Sequence, residues 1–170
     1  MKEYELKQLL ENQQTLDRNI KELIEKKVLV KQAPDFAEVK GHMLKAENNL
    51  RFVAENIRLK FYDWSITGCY YACYHAALAL ILTKGYSSKN HLATLCALIK
   101  EFYKKSLTKE DIELFSAFLD YQDVLFYVES KNKREDATYS TKIIFDDKET
   151  THLRIKATMF VSKIGEILKK

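Results

Sequence analysis

DWSITGCYYACYHAALALILTKGYSSKNH, residues 63–91, is the stretch that decides the fold. Residues 63–83 carry no proline and are apolar nearly all the way round a helical wheel, so they predict a helix buried at the centre of the molecule. Ala72, Ala76 and Ala79 keep one side of it thin, which lets a neighbouring helix approach closely. Gly85 can adopt the left-handed conformation that ends a helix. Ser87 or Ser88 can then cap a following helix carried by Leu92, Leu95, Ile99 and Phe102.

The sequence on either side supplies the neighbours such a helix needs. Upstream, Phe36, Val39, Met43, Ala46, Leu50, Val53 and Ile57 recur in steps of three and four, the stripe of an amphipathic helix. Pro34 suits its start, where a missing N–H costs nothing. Leu6, Leu9, Leu16, Ile20 and Leu23 predict an N-terminal helix, and Val28-Leu29-Val30 breaks its rhythm. Downstream, Thr108 followed by Asp111 reads as a helix start, with Ile112, Phe115, Phe118 or Leu119, and Leu125 facing inward. That helix runs into the charged segment ESKNKREDATYS. In TKIIFDDKET, Ile143, Ile144 and Phe145 can pin the connection to the core. Leu153, Ala157, Phe160, Ile164 and Ile167 mark a last helix. The sum is an all-α antiparallel up-and-down bundle of five core helices, residues 34–170, with an additional N-terminal helix in residues 1–33.

Composition agrees. The chain of 170 residues suits one core, and its 4 glycines and 1 proline are too few for a many-stranded sandwich or barrel. AALALIL is too short to span a bilayer, and the acidic, polar N-terminus does not read as a signal peptide. With 3 cysteines and no such signal, a reducing cytoplasm and free thiols are expected. The net charge of +4 mildly favours an anionic partner.

Several constellations could carry chemistry. Cys69 and Cys73 stand one turn apart, a zinc-like spacing, but His75 points elsewhere and Cys96 is alone, so buried thiols are expected rather than a metal site. A mid-helix Cys in apolar company has a raised pKa and makes a poor nucleophile. Carboxylate-bridged metal bundles need a Glu three residues before a His. Val39, Ala72 and Ser88 occupy that position before His42, His75 and His91, and Glu149 occupies it before His152. A single such pair falls short of the two that these bundles use, so neither a metal nor a cofactor is expected. Tyr70, Tyr71 and Tyr74 spread over about 100° of a helix, and some of them are expected to face a core or a subunit interface. Lys131, Lys133 and Arg134 complement a helix C-terminus, and would equally attract a phosphate backbone.

Taken together, these segments resemble the HEPN domain family, named for higher eukaryotes and prokaryotes, nucleotide-binding. Its stand-alone prokaryotic members carry a run of the type YYAxxHAALAL, then a Gly-Tyr turn and a His opening the next helix. Here those are Tyr70, Tyr71, Ala72, His75, Ala76, Ala77, then Gly85, Tyr86 and His91. KREDATY resembles the family's Arg-x-x-Ala-Asp-Tyr segment through Arg134, Ala137 and Tyr139, with Thr138 in place of Asp. The similarity runs over roughly residues 35–168, and the N-terminal helix looks like an extension seen in some members.

The resemblance implies a homodimer that binds RNA or a nucleotide, with Arg134, Lys131, Lys133 and His91 as contacts. It also implies, by analogy, an antitoxin partner of the small-nucleotidyltransferase type. Active members cut RNA without metal. A ribose 2′-hydroxyl attacks the adjacent phosphate, an Arg steadies the charge and a His moves the proton. Here Tyr139 stands where that His is expected. A phenol with a pKa of about 10 is a poorer base than an imidazole at about 6.5. Arg134 and Tyr139 would lie about 140° apart on a continuous helix, so both face one site only if the helix ends or bends between them. Two readings stay open: an RNA- or nucleotide-binding protein, with toxin-like cleavage or a degenerate relative of it, and a non-catalytic helical interaction module.

Overall fold

The computed structural model describes residues 3–132 and 145–169, with side chains for 3–120 and 145–169. Among these residues the chain forms α1 (Glu3–Glu11), α2 (Gln13–Glu25), β1 (Leu29–Lys31), α3 (Phe36–Arg58), α4 (Tyr62–Leu82), β2 (Tyr86–Ser88), α5 (His91–Phe102), α6 (Lys109–Asn132) and α7 (Asp147–Leu168). The architecture is the expected all-α bundle, and α4 is its axis, touching α3, α5, α6 and α7.

The stripe on α3 buries Val39, Ala46 and Val53 against α4, whose Ala72, Ala76 and Ala79 are fully buried. Gly68 allows the closest approach: a Cβ there would lie 2.6 Å from a Val53 methyl and 3.1 Å from the Phe52 ring. Phe36 is the exception to the expected stripe. It begins the helix, beyond the reach of α4, and is 72% exposed. On the far side, Phe115 of α6 stacks on Phe160 of α7 at 5.7 Å, and Lys163 pairs with Asp111.

By length and composition α4 could cross a membrane, contrary to the expectation that no segment is long enough. Here 72% of that apolar window is buried by the other helices.

The N-terminal extension folds as two helices. The Asn12 side chain accepts a hydrogen bond from the Thr15 N–H, ends the first rhythm and caps the second. Leu6, Leu9, Leu10, Leu16, Ile20 and Leu23 join the main core cluster, through contacts of α1 with α5 and α6 and of α2 with α5.

The break at residues 28–30 proves to be a strand. β1 pairs antiparallel with β2, Leu29 opposite Ser88 and Lys31 opposite Tyr86. Gly85, at φ 72°, makes the turn into β2 with its carbonyl accepting from Gln32 N–H. β2 carries the chain back along α4, so that α5 begins beside Tyr70 and Tyr74 and ends near Lys84. The cap of α5 is Asn90, accepting from Ala93 N–H, rather than Ser87 or Ser88. The Ser88 hydroxyl is used instead to donate to the Asn90 carbonyl and to accept from Thr94.

Candidate functional site

The polar rings of α4 divide by helical geometry. Residues four apart share a side, so Tyr70 and Tyr74 face α5 while Tyr71 and His75 face α3 and the outside. Tyr70 is 4% exposed and its hydroxyl lies 2.6 Å from His91 Nε2. Both tyrosine rings meet the imidazole edge-on, Tyr70 at 5.4 Å and Tyr74 at 5.2 Å between centroids. Burial raises the Tyr74 phenol pKa, and a hydrogen bond with Thr94 works the other way. The Thr94 hydroxyl in turn lies within hydrogen-bond distance of Ser88 Oγ and of the Asn90 carbonyl. The imidazole is therefore clamped in position by α4, and its backbone by the β2–α5 turn.

In front of it opens a recess of about 500 Å³, lined by Tyr74, Lys89, Asn90, His91 and Leu92. Lys89 is exposed and Asn90 caps the helix, so the recess brings together a cation and an imidazole from one turn of chain and an aromatic edge from α4. Those are the donors that hold a phosphate beside a base or sugar.

A second histidine site lies across the α3–α4 seam. His42 Nδ1 and His75 Nδ1 are 2.9 Å apart. The ring centroids are 5.1 Å apart, close to that distance plus a ring radius at each end, so the two nitrogens meet nearly head-on. Such a pair shares one proton. Glu38 lies 3.8 Å from His42 Nε2, which favours a proton on Nε2 and makes His42 Nδ1 the acceptor from His75. Burial holds both imidazoles below the ordinary range. His75 falls to about 4, with His42 and Lys45 adding to the effect.

The thiols are buried. Burial pushes Cys69 and Cys96 up to about 12 and Cys73 well above its usual value, so all three stay protonated. A zinc ligand must be a thiolate.

Of the residues singled out in the sequence, His91 lies at the recess. Lys131 is in the last turn of α6, with its side chain outside the described part of the structure. Lys133, Arg134 and Tyr139, with Ile143 and Ile144, lie outside the described residues. Phe145 is buried, as expected. Sequence reasoning missed Lys89, which enters the site through the β2–α5 turn, and assigned Tyr74 only to the tyrosines of a core or interface, since its partner Thr94 lies on another helix. It also missed His42, although its place beside the Val39–Met43 stripe was a usable sign that it borders the seam.

Residues 39–161 match the family model of the HEPN domain. The chain belongs to the HEPN-domain family. At the level of the family its function is of HEPN type, nucleotide- or RNA-related. None of the curated proteins matches the chain. All but the first turn of α3, the whole of α4, the recess at His91 and most of α7 fall inside the matched span, whereas α1 and α2 precede it.

Proposed function

We propose that this HEPN protein binds RNA or a nucleotide at the recess in front of His91, with Arg134 gripping phosphate and Lys131, Lys133 and Tyr139 beside it. The observation that carries the reading is the clamped His91 with Lys89 at the mouth of an open recess. A histidine needed only for packing has no use for a neighbouring cation and an open front.

The working unit is a homodimer. Support comes from the free face of α4. This otherwise buried helix exposes Trp64 at 57% and Tyr71 at 41%, flanked by Phe61 at 55% and by Phe52 of α3 at 46%. Aromatic rings in one patch are what a subunit interface buries. The same patch favours a second reading, a helical interaction module, and a small nucleotidyltransferase acting as antitoxin would be its partner.

Cleavage, where it occurs, proceeds without metal. The 2′-hydroxyl attacks phosphorus and gives up its proton to solvent water, the P–O5′ bond breaks, and the departing oxygen takes a proton. Arg134 holds the charge on phosphate and Tyr139 donates the proton. The test is incubation of the purified protein with labelled RNA in EDTA at low salt. Retention of RNA by the wild type and its loss in Arg134→Ala, with the oligomeric state unchanged, is the expected result. Cleavage by the wild type and not by Arg134→Ala adds the chemical step. No retention at low salt refutes the reading and leaves the interaction module.

A further inference from the structure

The N-terminal helices come to rest beside the start of α5. Between α1, α2 and Leu92 lies another open recess, of about 420 Å³. Leu92 lines both this recess and the one at His91, so the two adjoin through one side chain. Leu92 is 40% exposed, although its spacing with Leu95, Ile99 and Phe102 predicts a core position.

The two recesses differ in chemistry. In the N-terminal one, Leu9 and Leu92 give an apolar floor, and Tyr4, 69% exposed, stands at the lip. Gln8, Thr15 and Asn19 supply the polar wall. Asn19 Nδ2 donates to the Thr15 carbonyl at 2.8 Å, which fixes the plane of that amide. Carboxamides offer a donor and an acceptor side by side, the pattern that matches the edge of a nucleobase. An exposed aromatic ring gives a base a face to stack on. Glu5 also borders this recess and repels a phosphate. The recess at His91 has Lys89 and, among its described lining residues, no carboxylate.

We propose that one nucleotide unit of a single-stranded RNA bridges the two recesses, its base against Tyr4 and the Gln8–Asn19 wall and its phosphate against Lys89 and His91. This rests on the reading of the His91 recess as a nucleotide site, and it gives α1 and α2 the task of selecting the base.

The test is fluorescence anisotropy of labelled A, C, G and U octaribonucleotides with the full-length protein at low and at moderate salt. Tyr4→Ala is expected to weaken the preferred octamer about tenfold, the loss of one stacked base. Asn19→Leu brings the four octamers to similar affinities. Lys89→Ala weakens all four alike and flattens the salt dependence. Both Tyr4 and Lys89 are exposed, so these variants keep the fold, and thermal melts confirm it. If Tyr4→Ala and Asn19→Leu keep wild-type affinity and base order while Lys89→Ala weakens binding, the base recess is wrong and the phosphate site stands. If the wild type binds none of the octamers at low salt, both fall.

Discussion

His75 lies on α4 and His91 against it, both are half-buried, and each makes a short hydrogen bond to a neighbouring element. Their surroundings set them apart. His75 spends an Nδ1 on His42, in the seam where α3 and α4 pack most extensively. His91 is held at Nε2 by a buried tyrosine and borders an open recess with a lysine beside it. The first arrangement ties two helices together. The second holds a ring steady at a surface where a ligand can arrive. Residue type and burial alone would not have distinguished them.

The most severe way to break this contrast is through the seam. Gly68→Leu drives a side chain into Val53 and Phe52 and is expected to cost about 3 kcal/mol, the upper range for overpacking a core. A urea titration reads this as a lower midpoint. RNA affinity per folded molecule should be unchanged, because the seam does not carry binding. Next in size is His91→Ala, which should weaken RNA binding about tenfold, or about 1.4 kcal/mol, in a filter-retention assay. His75→Gln should leave that affinity unaltered. If the two variants lose binding equally, the distinction fails.

Smaller effects sharpen it. Tyr70→Phe removes the hydroxyl that holds His91, at a cost of about 1 kcal/mol in denaturant unfolding. The loss in RNA affinity should be smaller than for His91→Ala, since the imidazole remains. The smallest signal is in pH. His75 has its pKa lowered from 6.5 to about 4 and His42 is shifted the same way, so the folded state binds fewer protons than the unfolded chain in that window. Their effect on stability is absent above the ordinary histidine value and grows as pH falls toward 4, so the protein loses stability across that range. In His75→Gln, thermal melts should decline less steeply over the same pH range.

Local pattern accounts for much of the molecule. Val39, Ala46 and Val53 on α3, Leu95, Ile99 and Phe102 on α5, and Leu153, Ala157 and Phe160 on α7 are buried where their spacing puts them. What the sequence hides is the pairing between distant segments. Residues 28–30 read only as a break, because their partner strand lies beyond α4. That hairpin aims α5, and so it sets the places of Lys89 and His91. The His42–His75 contact depends on the register between α3 and α4, which either helix alone leaves open. Asn12 and Asn90 act through short-range capping bonds, and both went unread because a continuing rhythm or a nearby serine offered an equally good local answer. At the candidate site, His91 was legible as a helix-opening histidine. Its grip by Tyr70 and Tyr74 required the fold.

The most direct test is long-range nitrogen-15 NMR of the histidine rings during titration with an octaribonucleotide at low salt. The account predicts that the His91 nitrogens shift with saturating dependence on RNA while those of His42 and His75 stay in place. Shifts at His42 and His75 with His91 unmoved, or no shift at any of the three, would contradict it.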